Sequence, residues 1–125
     1  MNIQSFDHIV LCVHDVQKSI HFYTEVLGME AREERRDKWA LHFGNSKISL
    51  QDAESIPEIA KRTVPGSGNF CMLTDTPISQ IVTQLEHHQV EILDGPAEKI
   101  GATGSILSVY FNDPDGNLVE ISNRV

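Results

Sequence analysis

The 125 residues are 40% hydrophobic and 22% charged, the balance of a globular domain with one core rather than of a disordered, fibrous or membrane chain. Eighteen Asp and Glu against ten Lys and Arg leave a net charge of −8, which argues against nucleic acid or a membrane surface as partner and leaves small molecules. The longest apolar run, residues 9–13, is far short of the ~20 residues that cross a bilayer. No basic-then-apolar order of a secretory signal opens the chain, so a cytoplasmic protein is expected. Cys12 and Cys71 lie inside apolar runs, away from any close cysteine pair, and are expected to be reduced core residues.

In chain order, residues 6–13 are short, apolar and rich in branched side chains, which predicts a strand. Asp15 then offers an oxygen to the free amides of a helix starting at Val16. Val16, Ile20, Tyr23 and Leu27 share one face of that helix, Gln17, Lys18 and Glu25 lie opposite, and Gly28 stops it. Strands are expected at 30–36, 38–43 and 46–51, with Gly44 and Asn45 turning between the last two. The order is βαβββ over residues 5–52. Residues 53–68, with Pro57, Pro65, Gly66 and Gly68, lack periodicity and read as a connector.

The order then repeats over residues 69–125. A strand is expected at 69–74, followed by Thr76 as cap and Pro77 as first residue of a helix faced by Ile78, Ile81, Val82 and Leu85. Further strands are expected at 90–93, 105–112 and 117–122, the last two joined by the turn Asp113-Pro114-Asp115-Gly116. A slide of 61 positions sets His8 opposite Asn69, and a slide of 71 sets residues 47–50 opposite 118–121. The expected class is α+β, two tandem βαβββ modules whose strands form a curved mixed sheet.

Because strand residues alternate between faces, parity sorts the polar atoms. Leu107, Val109 and Phe111 share a face with Val119 and Ile121, while Ser108, Tyr110 and Asn112 share the other with Glu120 and Ser122. Likewise Ile48 and Leu50 point one way and Lys47, Ser49 and Gln51 the other. If His8 and Asn69 point to the polar side too, a curved sheet gathers imidazole, amide and carboxylate groups around one hollow, as candidates for a divalent cation. The competing reading is a strand-end histidine and a surface carboxylate with ordinary partners.

Other polar groups have plainer readings. His87 and His88 end a helix, where a cationic ring complements the carbonyl dipole. Arg32, Arg35 and Arg36 lie in a mixed-charge strand edge. Trp39 shares the parity of Leu41 and Phe43 and reads as core or dimer contact, and Lys99 is a possible contact for an anionic substrate. Tyr110 stands apart because it shares the face of Glu120, where its phenol can orient a substrate oxygen.

The run Phe6-Asp7-His8-Ile9-Val10-Leu11, then Asp15, Phe22-Tyr23, Leu27-Gly28-Met29 and the segment from Asp113 to Glu120 resemble the vicinal oxygen chelate superfamily, the glyoxalase, bleomycin-resistance and extradiol-dioxygenase group. The stretch from Gly101 to Phe111 is similar to the glyoxalase-domain subgroup labelled dioxygenase-like or virulence-associated. The resemblance covers nearly the whole chain and implies one domain over residues 1–125, its modules forming a cup around a divalent metal such as Ni, Co, Zn, Mn or Fe.

Position by position it implies His8 and Glu120 as metal ligands, Asn69 where the family commonly has His, and Ser49 or Gln51 where it has Glu, Gln or His. Glu120 and Tyr110 are the implied catalytic residues. The expected activity is a glyoxalase-like metal-dependent lyase or isomerase that binds a small substrate through vicinal oxygens, in a homodimer. The alternative is a metal-free protein that sequesters an antibiotic or aromatic compound, since Asn69 and Ser49 or Gln51 are weak donors. Extradiol dioxygenase chemistry is disfavoured, because its two-His-one-carboxylate triad is incomplete unless His42 or another histidine completes it. Residues 52–68 and 97–104 are expected to choose the substrate.

Overall fold

The computed structural model describes residues 1–55 and 60–125, in two compact units, Met1–Ser67 and Gly68–Val125. The first holds β1 (His8–Val13), α1 (Val16–Glu25), β2 (Glu30–Arg35), β3 (Lys38–Phe43) and β4 (Ser46–Asp52). Its four strands lie in the order β1-β4-β3-β2, with β1 parallel to β4 and the other neighbours antiparallel. The second unit holds β5 (Asn69–Leu73), α2 (Ile78–His87), β6 (Ile92–Gly101), β7 (Gly104–Asn112) and β8 (Leu118–Arg124), in the order β5-β8-β7-β6. Here β5 is the parallel partner of β8. The two units thus share one topology, two βαβββ modules with two mixed sheets and two helices.

The register makes the internal repeat concrete. His8 pairs with Lys47 in the first unit and Asn69 with Leu118 in the second, so the slides of 61 and 71 positions describe one superposition. Under it Glu120 is the counterpart of Ser49, not of Gln51, and Cys71 is the counterpart of Val10.

Each sheet buries one face under its helix. In the first unit Leu11, Val13, Leu41, Ile48 and Leu50 are buried together with Tyr23 of α1. Asp15 starts that helix as read from sequence, its Oδ1 accepting from the Lys18 amide at 3.1 Å, and Gly28 leaves it with φ +71°. Val109, Phe111, Val119, Ile121 and Leu85 of α2 form the corresponding core of the second unit. Trp39 lies half-buried on the Leu41 side of β3.

Three expectations are corrected. Thr76 does not cap α2: Pro77 is the cap residue with no side-chain bond, and Asn123 of β8 accepts from the Ile78 amide at 2.8 Å while its own amide donates to the carbonyls of Thr74 and Thr76. A distant strand residue supplies what the local sequence lacks.

The strand expected at 90–93 is instead the ten-residue β6, so that residues 97–104 belong to strand and tight turn. Gly95 and Pro96 look like loop residues because neither suits a regular ladder, yet they sit where the register shifts between Asp94 and Ala97. Gly95 has φ +93°, and a Cβ there would collide with the Ser108 carbonyl oxygen.

In the connector, Ala53–Ser55 forms a 3-10 turn, whereas Pro57, read as part of the connector, lies outside the described residues. Cys12 is buried as expected, but Cys71 is exposed, on the polar face of β5.

Candidate metal and substrate site

In the first unit, β1, β4 and β3 place His8, Lys47 and His42 in one cross-strand row, with Ser49 and Gln51 further along the same face. The His8 Nδ1 lies 2.7 Å from Asp7 Oδ1. A carboxylate only accepts, so Nδ1 carries the proton and a neutral ring keeps its lone pair on Nε2. The same bond, more than any other influence, holds the Asp7 carboxyl below its usual range.

His42 is engaged elsewhere: Arg32 Nη1 donates to its Nδ1 at 3.5 Å, and its buried Nε2 faces Glu34 Oε2 at 3.8 Å. Lys47 Nζ donates to both Glu34 oxygens at 2.8 and 2.9 Å, which lowers the Glu34 carboxyl. An open pocket of about 280 Å³ is lined by Asp7, His42, Lys47 and the Gly44–Ser46 turn. Gln51 is half-buried opposite Cys12.

In the second unit the register sets Glu120 between Cys71 of β5 and Tyr110 of β7. Asn69 occupies the exposed first position of β5, on the same face. Burial, a hydrogen bond to Glu120 and that carboxylate's charge push the Tyr110 phenol up to about 12, so it is a donor and not a base at neutral pH. Lys99 Nζ stands 5.4 Å from the Tyr110 ring centroid and bonds Asp94 at 3.1 Å. The Cys71 thiol lies 3.3 Å from Ser122 Oγ and is pushed up, chiefly by burial. Ser122 and Ser108 are both fully buried, with their hydroxyls 2.7 Å apart.

The Asp113-Pro114-Asp115-Gly116 motif is structural. Asp113 Oδ1 accepts from the amides of Asp115 and Asn117, both at 2.9 Å, and its Oδ2 accepts from the Asn117 side chain at 2.8 Å. Asn117, fully buried, accepts in turn from the Gly68 amide at 2.7 Å. This clip fixes where β8 starts and hence which face Glu120 takes.

The structure therefore brings Glu120 and Tyr110 into contact, puts Asn69 on their face, and puts Gln51 on the face of His8. Among the described residues no three His, Cys, Asp or Glu side chains gather in a way that could hold a metal ion. Arg32 is paired with Glu30 at 2.8 Å, and His87 and His88 end α2, both as ordinary surface groups. Sequence reading missed Cys71, although its parity with Asn69 was available, and it missed the burial of the Ser108–Ser122 pair, which two hydroxyl side chains do not announce.

Residues 5–121 match the family described as the Glyoxalase/Bleomycin resistance protein/Dioxygenase superfamily. The chain belongs to this superfamily. It is 46% identical over 127 residues to the virulence protein STM3117 of Salmonella typhimurium, covering 100% of this chain and 88% of that protein. The crystal structure of that relative superposes with a TM-score of 0.96 at 44% identity, covering both chains completely. The glyoxalase domain-containing protein RDO1 of Mycosarcoma maydis is 37% identical, over 98% of this chain and 70% of its own length. The metallothiol transferase FosB of Staphylococcus epidermidis is 30% identical, over 97% of this chain and 82% of its own.

Taken one by one, the donor types are ones that a divalent ion accepts. His8 offers an imidazole nitrogen whose other nitrogen is fixed by a carboxylate, the arrangement usual for metal-bound histidine. Glu120 offers a half-buried carboxylate, and Asn69 and Gln51 offer neutral amide oxygens.

Proposed function

We propose that this chain is a glyoxalase-like, metal-dependent lyase or isomerase that acts on a small substrate through two vicinal oxygens. The observation that carries the reading is the Asp7–His8 bond, which occupies Nδ1 and leaves Nε2 to accept, on a residue that the resemblance sets at the family's first ligand position. His8 and Glu120 would be the strong ligands, with Asn69 and Gln51 as weak neutral ones. A divalent ion bound there supplies Lewis acidity, polarising a carbonyl and acidifying the adjacent C–H. Glu120, the one charged member of the set, would then move the proton, and Tyr110 keeps a phenolic donor beside it. We infer that both units work as one domain over residues 1–125 and that the protein is a homodimer.

A second reading, a metal-free binder of an antibiotic-like or aromatic compound, is favoured by Asn69, an amide where the family commonly has an imidazole. Elemental analysis separates the two. Protein purified without added metal, then offered Ni, Co, Mn or Zn and freed of excess, is expected to hold one equivalent; no retained metal under any of these conditions supports the binder and contradicts the lyase.

A further inference from the structure

The sheet face that carries Glu120 contains two serines that a β-sheet does not need. Ser108 of β7 and Ser122 of β8 are cross-strand partners, both fully buried. Two hydroxyls at such positions displace apolar contact, so they are kept either as a self-satisfied structural pair or for what they do to a third group. Their protons distinguish the two.

Ser122 Oγ has three polar neighbours: Ser108 Oγ at 2.7 Å, Cys71 Sγ at 3.3 Å and Glu120 Oε1 at a long 3.5 Å. It has one proton to give and two lone pairs to offer. The carboxylate oxygen is an acceptor only and is the strongest of the three, so the Ser122 proton goes to Glu120. The Ser108 hydroxyl then donates to Ser122, and the Cys71 thiol has both the Ser122 hydroxyl and the Glu120 carboxylate as hydrogen-bond partners. Tyr110, on β7 directly opposite Glu120 of β8, donates its phenolic proton to the same carboxylate. Each of these protons points toward Glu120, directly or through Ser122.

We propose that the buried Ser108–Ser122 hydroxyl pair and the Tyr110 phenol are positioning residues that aim the Glu120 carboxylate at its metal ion. The inference rests on the proposed role of Glu120 as a ligand. With two donors fixing the carboxylate from within its own sheet, its rotamer is set before metal arrives. The ligand is therefore preorganised, and the affinity it confers depends on groups that never touch the ion.

The test uses Co2+ as probe, in the full chain, with the visible absorption of bound Co2+ and its dissociation constant as readouts. The double variant Ser108→Ala/Ser122→Ala removes both partners of the buried bond together and leaves neither serine hydroxyl orphaned, so it preserves the fold. Tyr110→Phe removes the other donor and keeps the ring. Each is expected to bind Co2+ about 10- to 100-fold more weakly with an altered spectrum, while the metal-free proteins melt as wild type does. Wild-type affinity and spectrum in both variants, with Glu120→Ala losing the ion, overturns the positioning role and leaves the ligand role standing. Undiminished Co2+ binding by Glu120→Ala overturns both.

Discussion

Asn69 opens β5 on the face of Glu120, at the place that its internal counterpart His8 holds in β1. An amide oxygen is a neutral and weaker donor than an imidazole, so the proposed ligand set of His8, Asn69, Gln51 and Glu120 would leave a divalent ion with net positive charge. That favours an anionic or enolisable bidentate substrate and ready exchange of metal. Asn69→His is expected to tighten metal binding tenfold or more, worth at least ~1.4 kcal/mol, in a competitive chelator titration against wild type. Unchanged affinity with the fold intact would show that position 69 does not serve the ion. The internal repeat set this residue opposite His8 in the sequence, and parity put Glu120 and Tyr110 on one face. It did not rescue Cys71, because Phe70 and Met72 on either side make the run look like core, whereas the thiol points to the polar face.

At the scale of elements, the turn before β8 matters most to the site, since a one-residue slip there would turn Glu120 into the core. Asn117 spans from Asp113 to Gly68, so Asn117→Ala removes one hydrogen bond from a buried carboxylate and one from a backbone amide. A loss of about 2 to 3 kcal/mol in chemical denaturation is expected, with weakened metal binding at ambient temperature. Stability within about 0.5 kcal/mol of wild type would contradict this account of the turn. The motif itself was readable, because Asp, Pro and Gly each have a fixed use in such turns. The cap of α2 was not: it comes from Asn123, on a strand almost fifty residues away by way of the bond to Thr74, and local sequence carries no trace of it. Strand β6 was read short because Gly95 and Pro96 mark loops as readily as bulges, and only the pairing with β7 decides between them.

For the whole molecule, the duplication explains both the legible fold and the asymmetric chemistry. Two copies of one βαβββ unit need only helix periodicity, strand alternation and turn residues, all present in the sequence, whereas the polar residues of the two units differ, His8 and Glu120 having Asn69 and Ser49 as counterparts. Each sheet has two edge strands, and while β2 is blunted by the charged run Glu30–Arg35, the edge strand β1 exposes Val10 by 51% and β5 exposes Leu73 by 48%. Such edges favour association with a second copy. Sedimentation at micromolar concentration is expected to give a species of twice the 14.0 kDa chain mass, and a monomer alone would contradict the homodimer.

The proposed metal centre depends on His8 and Glu120 as the strong ligands of a divalent ion. Its most direct test is the metal stoichiometry of His8→Ala and Glu120→Ala beside wild type, with far-UV circular dichroism to verify that each variant stays folded. Each variant is expected to lose the bound ion that wild type retains. A full equivalent of metal on either folded variant would contradict the assignment.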